Sequence, residues 1–390
     1  MDIKEEAIIK HEQWRGKVEV ESKAPLNDSH DLSVAYTPGV AAPCLKIHEN
    51  PDYVYECTSV GNMVAVVSDG SAVLGLGNIG GLAGLPVMEG KSVLFKRFGG
   101  VNAFPIVLST QDTEEIIRTV KAIAPSFGGI NLEDISAPRC FEVERRLKEE
   151  LDIPVFHDDQ HGTAICVLAA LINASKLVGK NISDMKICLS GPGAAGNAII
   201  KLLVGWGVKD VFAVDRTGII YKGREKLDFA KADLAAITNK EDRRGGLKEA
   251  MAGTDVFVGV SAPGCITAAM IKSMNPDAIV MAMANPTPEI MPDEAKSAGA
   301  KVVCTGRSDF ANQVNNVLAF PGVFKGALSC RAKAINENMK IAAARAIASL
   351  VDESKLSPDY VIPSALDPRV ADAVAAAVRA QAIADGLNRI

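Results

Sequence analysis

Residues 185–215 read MKICLSGPGAAGNAIIKLLVGWGVKDVFAVD. An apolar run over 185–190 leads directly into three glycines with Gly-x-Gly-x-x-Gly spacing, at Gly191, Gly193 and Gly196. A stretch with helical spacing follows over 198–206, and a second apolar run ends at Asp215. This order predicts a strand, a tight turn, a helix and a second strand, which together begin a doubly wound α/β domain.

The same turn predicts a dinucleotide site. Gly191 permits the tight turn, Gly193 lets the backbone approach a pyrophosphate, and Gly196 allows the helix to pack closely on the strand. The unpaired N–H groups at the start of the helix attract the phosphates. Asp215 lies nineteen residues beyond Gly196, where an acid bonds a ribose hydroxyl. Glycines that merely turn the chain would require neither the helix nor the acid.

Two α/β units are predicted along the chain. The second unit continues with apolar runs separated by helical stretches, which is typical of a parallel sheet covered on both faces, at 255–260, 278–283 and 301–304. The first unit has apolar runs at 63–67, 103–108 and 153–156 and helical stretches at 114–124 and 140–151. A long helix predicted over 163–178 joins the two units. We therefore expect an N-terminal α/β domain, 1–161, and a C-terminal Rossmann-type domain with helices after it, 162–390.

Composition excludes several classes of protein. The 390 residues carry a net charge of -5, 48% are hydrophobic and 23% are charged. A nucleic-acid surface would need a basic stripe, and the sequence has none. The start of the chain lacks the apolar run of a signal peptide, and nowhere do about eighteen apolar residues run together. The eight cysteines are scattered, with no Cys-x-x-Cys pair. We expect a cytoplasmic protein that binds neither nucleic acid nor a membrane.

A second Gly-x-Gly-x-x-Gly run occupies Gly75, Gly77 and Gly80. It follows an apolar run, but more glycines and Pro86 come after it. We predict that this segment stays a long glycine-rich loop and binds no nucleotide itself. Such loops often line sites where the backbone must approach a ligand.

Two pairs of acids each end an apolar run in the first unit, Glu133-Asp134 and Asp158-Asp159. In open α/β folds, ligands bind beyond the carboxyl ends of the strands. Carboxylates that converge there need a balancing cation, and oxygen ligands without a Cys/His cage favour Mg²⁺ or Mn²⁺. Spacing alone leaves two alternatives open. Asp158 or Asp159 could cap the following helix, and Glu133 with Asp134 could be solvated loop acids.

Several further motifs occur in a fixed order with these features. They are Tyr36-Thr-Pro-Gly39, Ser68-Asp69-Gly70, Met88-Glu-Gly-Lys91, Asn131-Leu-Glu133-Asp134, His157-Asp-Asp-Gln-His-Gly162, Asn285-Pro286 and Asn315-Asn316. In this order they resemble the malic enzyme family in its small bacterial form, over at least residues 36–322.

The resemblance implies a function and a set of site residues. It implies oxidative decarboxylation of malate to pyruvate with a nicotinamide cofactor and Mg²⁺ or Mn²⁺. Tyr36 corresponds to the general acid and Lys91 to the general base. Glu133, Asp134 and Asp159 correspond to the metal ligands, and Asn316 and Asp158 are expected at the substrate. The cofactor would be held by Gly191, Gly193, Ala194, Ala195, Gly196, Asp215 and Asn285. A lysine serves as a base only if its pKa falls from about 10.4 towards 7–8.

Two departures from the family pattern bear on ligand binding. Larger members carry an arginine before the Leu-Gly-Leu-Gly stretch for the substrate carboxylate, whereas this chain has Ser71-Ala-Val73 there. The C1 carboxylate must therefore be bound differently, for example by backbone N–H groups of the 75–84 segment and by Asn316. Asp215 favours NAD over NADP because it would repel a 2′-phosphate, although Arg216 follows directly and offsets that charge.

Two other functions remain open from the sequence. A malolactic enzyme, which converts malate to lactate with bound NAD, has nearly the same motifs. A non-catalytic dinucleotide-sensing module would not need Tyr36, Lys91 or the acids. We also expect a homodimer or a higher homo-oligomer, because the stretch before Tyr36 is too short and polar to form its own core.

Overall fold

The computed structural model describes residues 2–73 and 75–390. It contains two sheets, and parallel strands followed by helices build both of them. The α/β class and the Rossmann-type second sheet predicted from the sequence are confirmed. Among the described residues, no helix combines the length and apolar character that crossing a bilayer requires.

The chain begins with four short helices that contain no buried residue. They are α1 (Ile3–Trp14), α2 (Ser29–Ala35), α3 (Ala41–Glu49) and α4 (Val54–Cys57). The first buried side chain along the described chain is Val60. These helices therefore lie outside the hydrophobic core of the chain.

The first sheet has four parallel strands in the order β2-β1-β3-β4. The elements of this unit are β1 (Met63–Ser68), α5 (Gly80–Leu94), β2 (Asn102–Val107), α6 (Thr113–Ile123), β3 (Gly129–Leu132), α7 (Arg139–Glu150) and β4 (Val155–His157). One π-helical turn, Phe95–Gly99, continues α5. β2 is an edge strand, and none of its six residues is fully buried.

The second sheet has six strands in the order β10-β9-β8-β5-β6-β7, and only β7 is antiparallel. Its elements are β5 (Lys186–Ser190), α9 (Ala194–Trp206), β6 (Asp210–Asp215), β7 (Gly218–Ile219), α10 (Phe229–Ile237), α11 (Leu247–Met251), β8 (Val256–Gly259), α12 (Ala268–Lys272), β9 (Ile279–Ala282), α13 (Pro292–Ser297) and β10 (Val302–Thr305). The strand order reverses between β5 and β8, and ligands of such sheets bind at this switch point.

The helix between the sheets, α8 (Asp158–Leu177), begins five residues before the predicted start at Thr163. It is almost wholly apolar beyond its first turn, and one continuous core joins it to Phe156 of the first sheet and Ile187 of the second. The tail forms α14 (Phe320–Ser329), α15 (Glu337–Ser349) and α16 (Val370–Ala384). Because α8 runs through residues 161 and 162, the predicted domain boundary there stays a prediction.

The segment after the second glycine run is a helix, and the loop predicted there is wrong. α5 begins at Gly80 and contains Pro86. The glycines and Pro86 predicted a loop, but the glycines allow a helix to lie against the sheet. A Cβ atom on Gly81 would lie 2.5 Å from the Leu108 carbonyl oxygen. Close packing thus overrides the low helix propensity of glycine and proline.

Candidate active site

The two pairs of acids leave neighbouring strands at the same edge of the first sheet. β3 and β4 are parallel, and Leu132 pairs with His157, the last residue of each strand. Glu133-Asp134 and Asp158-Asp159 therefore follow at adjacent positions. The carboxyl ends of both strands lie at the same edge of the sheet and bring together residues that are 25 positions apart in sequence. The backbone N–H of Asp134 donates a hydrogen bond of 2.8 Å to Asp159 Oδ2.

Three of these acids form a cluster with the geometry of a metal site. One carboxylate oxygen from each of Glu133, Asp134 and Asp159 lies within 4.8 Å of the others. Asp134 Oδ2 is buried and has no hydrogen-bond partner in the described part of the chain. Burial, followed by repulsion from the neighbouring carboxylates, raises the pKa of Asp134 to about 9. Carboxylates destabilised in this way fit a hard divalent cation, which would take oxygen ligands and offset the repulsion.

Lys91 lies against this cluster and is only 8% exposed. Its Nζ atom lies 2.6 Å from Asp158 Oδ2 and 2.9 Å from Glu133 Oε1. The ammonium also lies 4.3 Å from the centre of the Phe320 ring. Burial lowers the pKa of Lys91, but Asp158, Glu133 and Asp159 outweigh burial and hold the pKa above its ordinary value. The protein groups alone therefore favour the protonated lysine.

The dinucleotide turn has the predicted glycine geometry. A Cβ atom on Gly191 would lie 2.5 Å from the Val260 carbonyl oxygen, and one on Gly196 would lie 2.2 Å from the Gly191 carbonyl oxygen. A Cβ atom on Gly193 would meet no atom within 4 Å, so its backbone borders open space. Gly193 is also the N-cap of α9, which begins at Ala194. The turn thus offers exposed helix N–H groups and room for a pyrophosphate.

A cleft of about 1670 Å³ extends from this turn. Pro138 and Phe141 of the first unit line it opposite Asp215 and the loop after β8. The cleft is therefore formed by both units. Its position beyond the carboxyl ends of β5, β6 and β8 is where doubly wound sheets bind dinucleotides.

Comparison with known proteins matches both units. The family model of the malic enzyme N-terminal domain matches residues 15–115 and 109–148, and that of the malic enzyme NAD binding domain matches residues 160–383. The chain belongs to the malic enzyme family. The resemblance predicted from the sequence is confirmed, as is the class of NAD- or NADP-dependent oxidoreductase.

Relatives match over nearly the whole chain. The bifunctional malic/malolactic enzyme of Bacillus subtilis is 58% identical over 100% of this chain and 95% of its own length. The NAD-dependent malic enzyme of Geobacillus stearothermophilus is 56% identical over 96% of this chain and 78% of its own length. The crystal structure of malic enzyme from Pyrococcus horikoshii has a TM-score of 0.95 and 51% identity, and covers 100% of this chain and 92% of its own. Other relatives are named NADP-dependent malic enzymes.

Asp158, expected at the substrate, lies behind Lys91 in this member of the malic enzyme family. It is fully buried, and besides Lys91 it accepts a hydrogen bond of 2.5 Å from Asn316 Nδ2. Gly162 makes this position possible, because a Cβ atom there would lie 2.0 Å from Asp158 Oδ1. Asp158 therefore links the lysine of α5 to Asn316, which directly precedes the tail helices.

Asn285, expected at the cofactor, follows β9 at the edge where the two units meet. A Cβ atom on Gly75 would lie 3.9 Å from the Asn285 carbonyl oxygen, so the second glycine run borders this residue. The Asn285 side-chain nitrogen lies 2.7 Å from the Cβ position of Gly306, which leaves no room for a larger residue there. The structure thus brings Asn285 next to the glycine-rich segment.

A buried polar network behind the acid turn was missed from the sequence. Glu144 Oε1 accepts a hydrogen bond of 3.3 Å from the His157 backbone N–H and pairs with His161 Nε2 at 2.7 Å. It therefore contacts both ends of the turn that carries Asp158 and Asp159. Lys340 of α15 continues the network, with Nζ 3.0 Å from His161 Nδ1. His161 belongs to a motif already seen in the sequence, but neither that motif nor a single lysine in an alanine-rich tail identifies Glu144 and Lys340 as its partners.

Tyr36 is the one predicted site residue that the structure leaves apart from the others. The residue is 67% exposed, and within the described chain it forms hydrogen bonds only through its backbone atoms. It follows α2, within the segment that buries no residue. Among the described residues of one chain, the Tyr36 hydroxyl therefore forms no hydrogen bond with Lys91 or the acid cluster.

Proposed function

We propose that this protein catalyses the metal-dependent oxidative decarboxylation of L-malate to pyruvate and CO2, with reduction of NAD(P)⁺. The supporting observation is the contact of Lys91 with Glu133, a member of the three-carboxylate cluster. A base next to a divalent-metal site is the arrangement that oxidation of a 2-hydroxy acid followed by decarboxylation requires.

Glu133, Asp134 and Asp159 would hold Mg²⁺ or Mn²⁺. The unpartnered Asp134 Oδ2 and the raised pKa values of the buried acids support this ligand set. A cation there supplies Lewis-acid stabilisation of negative charge on the substrate oxygens and offsets the carboxylate charge next to Lys91.

Lys91 would take the proton of the C2 hydroxyl while the C2 hydride passes to the nicotinamide. Asp158 Oδ2 lies 2.6 Å from Lys91 Nζ and would orient the neutral amine that accepts this proton, and Asn316 holds Asp158 in turn. Asn316 and Asp158 thus belong to the proposed substrate site. Asn285, the glycines of the first motif, Ala194 and Ala195 would hold the dinucleotide, with Asp215 at the adenosine end.

Tyr36 would donate a proton to C3 after CO2 leaves. A general acid must lie close to the substrate atom that it protonates. Tyr36 is exposed to solvent and does not meet this condition within one chain. We propose that two copies of the chain form a dimer in which Tyr36 of one copy completes the site of the other. Eleven of the twenty large apolar side chains that are exposed in the described chain lie between Ile3 and Leu45, which supports an interface there.

The test is a steady-state assay with L-malate and Mn²⁺, with NAD and NADP compared. The proposal expects pyruvate, CO2 and free reduced cofactor in equal amounts, and loss of activity in EDTA that Mn²⁺ restores. Full activity in EDTA would exclude the metal role. Dinucleotide binding without any turnover of malate would favour a sensing module.

A second candidate activity is supported by the relative in Bacillus subtilis, which is named a bifunctional malic/malolactic enzyme. The malolactic reaction would yield lactate and no free NADH. Analysis of the products for pyruvate and lactate in the same assay separates the two activities.

We keep residues 1–161 and 162–390 as the proposed domains. We also keep the cytoplasm as the proposed location, and the eight cysteines, none of which forms a disulfide bond, agree with that location.

A further inference from the structure

We propose that the adenosine end of the cleft binds a 2′-phosphate, so that the chain takes NADP at least as tightly as NAD. This inference rests on the proposed function, since it concerns the cofactor of the same reaction. It reverses the preference for NAD that Asp215 suggested in the sequence.

The carboxylate of Asp215 is already occupied by protein donors. Its Oδ1 atom accepts from the Thr217 backbone N–H at 3.0 Å and from the Thr217 hydroxyl at 2.9 Å. Its Oδ2 atom pairs with Arg224 and lies 3.2 Å from Lys231 Nζ. A carboxylate has about four lone-pair positions, and four donors fill them here. Asp215 would have to lose one of these bonds to accept a ribose hydroxyl.

The charge of Asp215 is balanced as well. Arg224 and Lys231 together carry one more positive charge than Asp215 carries negative charge. Burial opposes the ionised carboxylate, but the bonds from Arg224, Thr217 and Lys231 hold the pKa of Asp215 well below its ordinary value. The acid therefore stays ionised and paired. Lys231 Nζ also lies 3.7 Å from Asp228 Oδ2, so these four groups together are close to neutral and do not repel a 2′-phosphate.

The cleft as a whole, with Asp215, Arg224 and Lys231 included, has more cations than acids. Five cationic side chains and three carboxylates line it, and the cations are Arg216, Arg224, Lys226, Lys231 and Arg244. Arg216 is exposed and makes no ion pair within the described residues. Arg244 lies over the Tyr221 ring, 3.3 Å from its centre, and pairs with Asp242 at 2.7 Å. Arginines suit phosphate because their planar donors bind it bidentately.

These observations reverse the usual role of an acid at this position. An acid that reads the ribose has free oxygens for the 2′-hydroxyl and an unbalanced charge that repels a 2′-phosphate. Asp215 has neither property. It instead holds Arg224 and Lys231 in place, and Arg216 is left as the exposed group that contacts the phosphate.

The test measures calorimetric binding of 2′,5′-ADP and 5′-ADP to the full chain, without malate or metal. These probes contain only the adenosine end of the cofactor. The expected result is that 2′,5′-ADP binds at least as tightly as 5′-ADP. Arg216→Ala should weaken binding of 2′,5′-ADP by about 10- to 100-fold, the range for a charged hydrogen bond, and should leave 5′-ADP nearly unchanged.

Arg224→Met provides a second test, because it frees Asp215 and removes one balancing charge. It should weaken binding of 2′,5′-ADP and leave 5′-ADP equal or tighter. Lys222→Ala is the matched control, since Lys222 is an exposed cation of the same loop that does not line the cleft. It should change neither probe.

Binding of 5′-ADP that is tighter than binding of 2′,5′-ADP would overturn the inference. An equal effect of Arg216→Ala on both probes would overturn it too. Failure of the proposed function gives a different result, because both probes would then bind as expected while malate is not oxidised.

Discussion

Lys91 and Tyr36, the two proposed proton-transfer residues, have opposite surroundings. Lys91 is 8% exposed and is held by two carboxylates and an aromatic ring. Tyr36 is 67% exposed, and its side chain forms no hydrogen bond with the described residues. One half of the site is thus organised within a single chain. The other half lies on a surface segment, and we propose that a second copy of the chain makes it part of a site.

The difference follows from the local structure. Lys91 is on a fifteen-residue helix packed against parallel strands, and the acids follow the ends of those strands. Tyr36 follows a seven-residue helix with no buried residue. A helix this short gains too little from its own hydrogen bonds to be stable alone in water, so an interface would have to supply the missing burial.

The largest effect is expected from Asp159→Asn, which removes one carboxylate from the three-carboxylate cluster. A catalytic metal contributes several kcal/mol to the transition state, so turnover should fall by about 10³–10⁴-fold. Binding of Mn²⁺, followed by electron paramagnetic resonance, should weaken in parallel. Asp233→Asn, on the exposed side of α10, is the control and should retain both properties. Unchanged affinity for Mn²⁺ would remove Asp159 from the ligand set.

Lys91→Ala should lower malate oxidation by about 10³-fold, within the range for a positioned base. Decarboxylation of added oxaloacetate should be reduced less, because that reaction does not require removal of the C2 proton. The variant also leaves Glu133 and Asp158 buried without their partner, which costs about 3–5 kcal/mol of stability. Mn²⁺ should recover part of this loss in thermal melts. Lys96→Ala, an exposed lysine next to the same helix, should behave like the wild type.

Tyr36→Phe should slow proton exchange at C3 of pyruvate by about 10²-fold and affect hydride transfer less. Because the side chain is exposed, the unfolding free energy of the isolated chain should change by less than about 0.5 kcal/mol. Tyr53→Phe, a tyrosine of the same segment, should leave exchange unchanged. If Tyr36→Phe and Lys91→Ala slow exchange equally, the two residues act as one relay and their separate roles must be withdrawn.

Patterns with a local physical cause were predictable from the sequence. The strand, glycine turn and helix after Lys186 depend on adjacent residues, and so does the placement of acids at the strand ends. The helix at Gly80 was not predictable, because the close approach of Gly81 to the Leu108 backbone joins residues that are distant in sequence. The partners of Asp215 were equally hidden. Arg224 and Lys231 follow it by nine and sixteen residues, and only the fold brings them to its carboxylate.

The smallest effect concerns Lys340, which contacts His161 in the buried network next to Asp158 and Asp159. Burial, with repulsion from Lys148, lowers the pKa of Lys340 from 10.5 to about 8, while Glu337 and Glu144 oppose the shift. Between these pH values the unfolded chain binds a proton that the folded chain does not, so this lysine makes stability rise with pH. Compared with Lys340→Met, the wild type should gain up to about 1 kcal/mol per pH unit from pH 8 to 10 in urea unfolding. If the difference in unfolding free energy between the two proteins does not change with pH, the lowered pKa of Lys340 is contradicted.

The most direct test of the divided site is a mixture of the Lys91→Ala and Tyr36→Phe chains, unfolded and refolded together. If each site takes Lys91 from one copy and Tyr36 from the other, each mixed dimer contains one site with both residues intact. Since random pairing makes half of the dimers mixed, about a quarter of the wild-type rate of pyruvate formation from malate, which needs both residues, should return. If both residues come from the same chain, no mixed dimer has a complete site. Activity no greater than the average of the two parent variants would then contradict the proposed sharing of Tyr36.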